Sequence, residues 1–241
     1  MTKISAENSA GYEAPIGLAA DAVVFTVTEG ALSVLLVRRE DAPSRGKLAL
    51  PGGFVGARED PAATVIRKLE EKAGIPPIYL EQLRTYAEPG RDSRGWLPSI
   101  AYLALVPAES LPATNRGDAA WHRLASLPRL AFDHNQIVED GLGRLRGKLW
   151  YSNIAVGLLP AEFTIAQARH VYEQIAGASY DPGNFSRDLR GSGLILDSGK
   201  VADDERVGRP AQLYRFASVE PSWTPRYARA TVAQPGGATS P

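Results

Sequence analysis

Lys68, Glu71 and Lys72 stand at i, i+3 and i+4, a spacing that puts all three side chains on one face of a helix. A hard divalent cation needs oxygen ligands, and one carboxylate between two ammonium groups is a poor cage for it. The same trio can neutralise itself as local ion pairs. Glu59 and Arg67 lie just upstream and complete the cluster. The plain alternative is an amphipathic helix with a solvated charged face. His134, in the segment AFDH, is a candidate base or ligand contact. A histidine there more often caps or packs a helix start. Arg38 and Arg39 end an apolar run shortly before Gly52 and Gly53 and are weaker candidates, because charged strand ends are common.

These residues need a frame. Asp60 is a good N-cap and Pro61 suits the first helical position, where a missing N–H costs nothing. Ala62, Val65, Ile66, Leu69 and Ala73 recur at helical spacing and form one buried face. Gly74 stops that helix and Pro76-Pro77 keeps it from resuming. Upstream, 22–28 and 32–38 are β-rich runs about the turn signal Glu29-Gly30 and read as a hairpin, with a short extended piece at 48–51 leading into a Gly52-Gly53 turn. Further strands are expected at 80–86, 97–106 and 121–124. A helix follows over 133–149, although Gly141 and Gly143 weaken it. Strands and helices in this irregular order imply an α/β sandwich and no alternating parallel fold.

Composition sets outer limits. The 241 residues allow two domains, and 27 basic against 27 acidic side chains leave no global field for nucleic acid or an anionic membrane. The absence of cysteine excludes disulfides, thiolate metal sites and thiol catalysis. No apolar run approaches the ~20 residues of a membrane span, and the N-terminus lacks a signal peptide's apolar core, so a soluble cytoplasmic protein is expected.

The second half reads differently. Thr164 and Gln167 form a capping-box signature, opening a helix that Gly177 ends. Asp181-Pro182 starts a short second helix closed by Gly191. A strand at 194–196, a polar loop over 197–210 and a strand at 212–216 follow, which is the order of a winged helix-turn-helix. Asn184, Ser186, Arg187 and Arg190 lie at the start and along the exposed side of the short helix, with Phe185 and Leu189 turned inward. Arginine to guanine and asparagine to adenine are favoured major-groove contacts. Thr164 and Gln167 are candidates to hold a phosphate at a helix N-terminus, and Lys200, Arg206 and Arg209 fall on the wing. Acids and bases balance in this half, so DNA affinity must come from placement, and a winged helix used only for protein contact remains the alternative.

The stretch 53–75 resembles a Nudix box, G-x5-E-x7-R-E-U-x-E-E-x-G-U, with Gly53, Glu59, Arg67, Leu69, Glu71, Gly74 and Ile75 in register. Lys68 and Lys72 stand where the family has metal-holding glutamates, which implies that metal-assisted pyrophosphate hydrolysis is lost or crippled and that no metal is held. The two ammonium groups would instead meet phosphate oxygens where the metal would have been. Arg91 to Trp96 (RDSRGW) resembles a segment of Nudix proteins that handle ADP-ribose, which makes Arg91 and Arg94 phosphate candidates. Together with LAFDHNQI, LLPAEFT, NFSRDL and RPAQLYRF, the order of motifs resembles the NrtR family of Nudix-related transcriptional regulators of NAD metabolism. The resemblance implies an N-terminal Nudix α/β/α sandwich over 15–150, including the connecting helix 133–149, and a winged helix-turn-helix over 151–217. Flexible tails at 1–14 and 218–241 complete the expected organisation. It also implies a homodimeric repressor on a double-stranded DNA operator, with ADP-ribose or a related NAD-derived nucleotide as effector and no cofactor required. An active ADP-ribose pyrophosphatase with an accessory winged helix is the alternative.

Overall fold

Period-two alternation lets single strands serve two cores. In the computed structural model, which describes residues 16–75, 77, 79–111, 118–149, 152–203 and 210–218, strand β1 (Ala19–Thr28) is buried on both faces. Its Val23, Phe25 and Val27 face one apolar cluster, while Ala20, Ala22 and Val24 face the other. Strand β2 (Ala31–Arg38) follows through the Glu29-Gly30 turn and divides its side chains the same way, Val34 and Leu36 against Leu35 and Val37.

The remaining strands of this sheet are β3 (Leu48–Ala49), β4 (Gly52–Phe54), β5 (Tyr79–Tyr86), β6 (Ser99–Leu105) and β7 (Ala119–Arg123). The main order is β3-β2-β1-β6-β5, and β1 pairs in parallel with β6. On its other edge β1 pairs antiparallel with β4 through Ala19–Asp21 and with β2 through Phe25–Thr28. That splits β1 from β2 at one end of the sheet, and the gap is where charged side chains collect.

Helix α1 (Pro61–Ala73) covers one face. Asp60 caps it by accepting the Ala62 N–H, Pro61 opens it, and Gly74 ends it in the left-handed conformation (φ 69°). Its buried residues are Thr64, Val65, Leu69 and Ala73. Ile66, expected on the buried face, is 42% exposed. The stripe is centred on 65-69-73, and one step of about 100° turns Ile66 off it.

Helix α2 (His134–Lys148) covers the other face. Gly141 is a requirement of that packing, since a Cβ there would meet Val23 Cγ1 at 2.6 Å, whereas Gly143 faces open space. Behind α2 come α3 (Ile165–Ala176) and α4 (Pro182–Gly191), with a three-stranded sheet of order β8-β10-β9 formed by β8 (Phe163–Thr164), β9 (Ile195–Val201) and β10 (Gln212–Phe216). Val171, Tyr172 and Ile175 of α3 belong to the same apolar cluster as the back of the large sheet. Two details depart from the sequence reading. Strand β9 runs on to Val201, because Gln212 and Tyr214 of β10 supply it with partners through a register shift. Phe163-Thr164 also forms a third strand against Tyr214 and Leu213. The expected tails apart from Ser218, together with Pro76, Tyr151 and the wing residues Arg206 and Arg209, lie outside the described residues. No helix among the described residues is long and apolar enough to cross a membrane. The architecture is an α/β sandwich followed by a winged helix-turn-helix.

Candidate functional site

The gap between β1 and β2 opens into a cavity of about 640 Å³, lined on one side by β4 and α1 and on the other by the loop entering α2. Gly52 and Gly53 are strand residues here and do not form a turn. They pair with Asp21 and Ala20. Their lack of side chains is steric: a Cβ on Gly52 would stand 2.1 Å from Asp21 Oδ1, and one on Gly53 would stand 3.0 Å from Lys68 Cε. Glycine lets β4 press against β1 while α1 lies over it.

Within the cluster on α1 the charges are unequally committed. Glu59 takes a bidentate bond from Arg67 (2.8 and 2.7 Å) and accepts the Gly56 N–H. Arg67, then that N–H, hold its carboxyl down at about 2. Glu71 accepts from Lys68 on one oxygen (2.7 Å) and from Arg67 on the other (3.1 Å), and its carboxyl is lowered by Lys68 first and Arg67 second. Lys72, expected to pair with Glu71, donates instead to the Gly52 carbonyl at 2.8 Å. Burial, then the charge of Lys68, lowers its pKa. The reason is direction: Lys72 lies toward β4, inside the cavity, while Glu71 is on the exposed side. Among the described residues no three His, Asp or Glu side chains converge as a metal site would require.

Across the cavity, Arg39 donates to the carbonyls of Pro43 and Asp41 and lies over the Phe132 ring at 4.8 Å. It has no carboxylate partner within ion-pair range among the described residues. Burial, then the charge of Arg94, push its pKa down, against the pull of Asp92, Asp21 and Asp41. Arg94 is held by Asp92 (2.6 and 3.0 Å), which raises its pKa, and it lies 5.2 Å from the Phe54 ring. Burial works to raise the Asp92 carboxyl, but the bonds from Arg94 outweigh it and leave it low.

Three expected ligand contacts have other duties. Arg91, with a side chain 4% exposed, gives a bidentate pair to Asp133 (2.8 and 2.7 Å) and a bond to the Leu97 carbonyl. It ties the start of α2 to the 87–98 loop. His134 is buried, and its Nδ1 accepts the Leu50 N–H at 2.9 Å, which requires the unprotonated ring; burial lowers its pKa accordingly. Arg38 bonds the Gly46 carbonyl. All three border the cavity as structure. The sequence reading missed Asp21, which accepts Ser99 Oγ at 2.6 Å under the cavity, and the aromatic walls Phe54 and Phe132. Phe132 holds a left-handed backbone (φ 55°) that is unusual for an aromatic residue. Its neighbourhood to His134 in LAFDHNQI was the available signal.

On the second domain, α4 buries Phe185 and Leu189 and leaves Arg187 with its side chain 72% exposed. Arg187 Nη2 donates to Asn184 Oδ1 at 2.8 Å, so the two present one polar unit at the helix start, with Ser186 partly covered beside them. Other candidates are engaged locally. Arg190 lies over the Tyr214 ring at 5.4 Å, Lys200 pairs with Glu162 at 3.0 Å, and Thr164 and Gln167 satisfy each other in a reciprocal capping box.

This pairing of modules has relatives. Residues 16–141 match the Nudix domain model, and residues 155–216 match the model for the NrtR DNA-binding winged helix domain. An ADPR responsive transcriptional repressor, NtrR, from Acinetobacter baylyi is 35% identical over 214 residues, covering 86% of this chain and 84% of its own. The chain belongs to the NrtR family. A crystal structure of Shewanella oneidensis NrtR in complex with a 27mer DNA aligns with it at TM-score 0.75 and 37% identity, covering 83% of this chain and 93% of that one. An ADP-ribose pyrophosphatase of Methanocaldococcus jannaschii is 37% identical over 108 residues, covering 44% of this chain and 64% of its own. Part of the chain is thus similar to an enzyme, while most of its length is similar to regulators.

Proposed function

We propose that this protein is a transcriptional repressor of NAD-biosynthesis genes, acting in the cytoplasm as a homodimer and answering to ADP-ribose or a related nucleotide. The observation that carries the reading is a cavity with two cations, Lys72 and Arg39, that make no ion pair among the described residues, on the same chain as a winged helix that presents Asn184 and Arg187. Aromatic walls and arginine forks suit a nucleoside diphosphate. The dimer would set two α4 helices on a pseudo-palindromic operator about one or two DNA turns apart.

The residues on α1 do not fit a catalytic divalent ion. Glu71 is the carboxylate of its face, both its oxygens are taken, and an ammonium cannot ligate metal. The Nudix half therefore binds its nucleotide without hydrolysing it. Similarity to the pyrophosphatase supports the opposite reading, and incubation with ADP-ribose plus magnesium or manganese separates the two. No AMP should form, and robust metal-dependent release of AMP would overturn the non-hydrolytic role. For the regulatory role, DNA upstream of NAD genes is bound in a gel shift and titrated with ADP-ribose and NAD. A change in operator affinity is expected; indifference to both nucleotides would refute an effector of this class.

A further inference from the structure

The two lysines of the helix face are not equivalent. Lys68 closes on Glu71, whereas Lys72 reaches across to the Gly52 carbonyl. That carbonyl is a fixed point. Its residue is paired to Asp21 of β1, and the contact leaves no room even for a methyl group. An ammonium has three donors, and the carbonyl takes one of them. Among the described residues Lys72 has no ion pair, and it borders the cavity together with Arg39, which is likewise held by backbone carbonyls. A backbone carbonyl beside helix-borne charge is the kind of oxygen that a hard cation seeks. Here it is occupied by a cation the chain carries itself.

We infer that Lys72 is a tethered cation which, with Arg39, binds the diphosphate of the nucleotide effector directly, so that effector recognition needs no divalent metal. The inference rests on the nucleotide-effector reading above and adds the chemistry of capture. A single positive charge anchored by a carbonyl can neutralise phosphate oxygens, but it cannot bind and acidify a water as a metal ion does. Recognition is thereby separated from hydrolysis. Affinity should follow ionic strength, as for any partly exposed charge pair, and ignore magnesium.

Isothermal titration of the full-length protein with ADP-ribose, in magnesium and in EDTA, tests this. Wild type should bind equally in both buffers, within about threefold. Lys72→Ala should weaken binding in both by roughly tenfold to a hundredfold, the scale of one lost charged hydrogen bond. Lys72→Glu should abolish binding in EDTA, and thermal melting checks that each variant folds. A loss of more than tenfold on moving wild type into EDTA needs no variant to interpret and overturns the inference. So does unchanged affinity in a folded Lys72→Ala protein. Should ADP-ribose give no heat in either buffer, the effector reading fails, and inorganic diphosphate then decides the cation's role. Binding in EDTA that Lys72→Ala loses upholds the tethered cation, and its absence rejects it.

Discussion

Replacing Gly141 with alanine sets two effects of opposite sign against each other. Glycine inside a helix is less stable than alanine by about 0.5–1 kcal/mol, so propensity alone favours Gly141→Ala. Against this, the new methyl would sit 2.6 Å from Val23 Cγ1, 3.3 Å from Val23 Cγ2 and 3.5 Å from Phe25. Val23 and Phe25 are wholly buried in the central strand and cannot swing aside. Overpacking of this kind costs about 1–3 kcal/mol, and a 2.6 Å contact against a fixed strand belongs at the upper end. The net expectation is destabilisation by about 1–2 kcal/mol. Gly143, two residues on in the same helix, is the internal control, because a Cβ there meets nothing within 4 Å. Gly143→Ala should therefore stabilise by about 0.5–1 kcal/mol. The two variants should part by roughly 2 kcal/mol, or about 4–8 °C in melting temperature for a domain of this size. Urea titration followed by circular dichroism measures both. If Gly141→Ala stabilises as much as Gly143→Ala, α2 does not press on β1 as described.

Arg91→Ala breaks a buried pair with Asp133, which is itself 24% exposed on its side chain, so the loss should be about 2–3 kcal/mol, below the ~3–5 of a fully buried pair. Chemical denaturation reads it, and an Arg91→Ala protein of full stability but weakened nucleotide binding would return Arg91 to the ligand. His134 carries a pH dependence. Its folded pKa lies below the ordinary histidine value of about 6.5, so the unfolded chain takes up the proton first and stability, complete above that value, falls as pH drops through it. Thermal melts from neutral to mildly acidic pH should show this slope flattened in His134→Asn, and an unchanged slope would place the titrating group elsewhere. Arg187→Ala should weaken specific operator binding by the ~1–3 kcal/mol of one base contact; a gel shift showing undiminished specific binding would remove it from the DNA face. Arg146, on the last turn of α2, donates to the Ile175 carbonyl at the end of α3. Arg146→Ala should keep both ligand and operator affinities within about threefold, with less of the nucleotide's effect on DNA surviving; full retention of that effect would exclude this contact from the coupling.

The sequence was most informative where structure is local. Asp60, Pro61 and Gly74 bound α1 by their own backbone preferences, and Thr164 with Gln167 bound α3 in the same way. The fold class and family followed from spaced motifs. What stayed hidden joins distant positions. Arg91 meets Asp133 across 42 residues, and Ser99 meets Asp21 across 78, so no local pattern marks Arg91 as a strut or Asp21 as a cavity floor. Lys72 shows the same limit within one motif. Helical spacing puts it beside Lys68 and Glu71, but only the pairing of β4 with β1 brings the Gly52 carbonyl to it.

The apolar cluster behind the large sheet runs without a break from Val23 and Phe25 through Ile137 and Leu145 to Tyr172 and Phe185 of the winged helix. The two halves therefore have a common fate on heating and should melt in one cooperative step. A nucleotide bound in the cavity would then protect the DNA-binding half without touching it. At a hundred times its dissociation constant a ligand adds about 2.7 kcal/mol to the unfolding free energy of whatever unfolds with its site. Amide exchange in α3 and α4 would slow on ligand binding, and occupancy of the pocket would be recorded as stiffness in the helices of the winged-helix half.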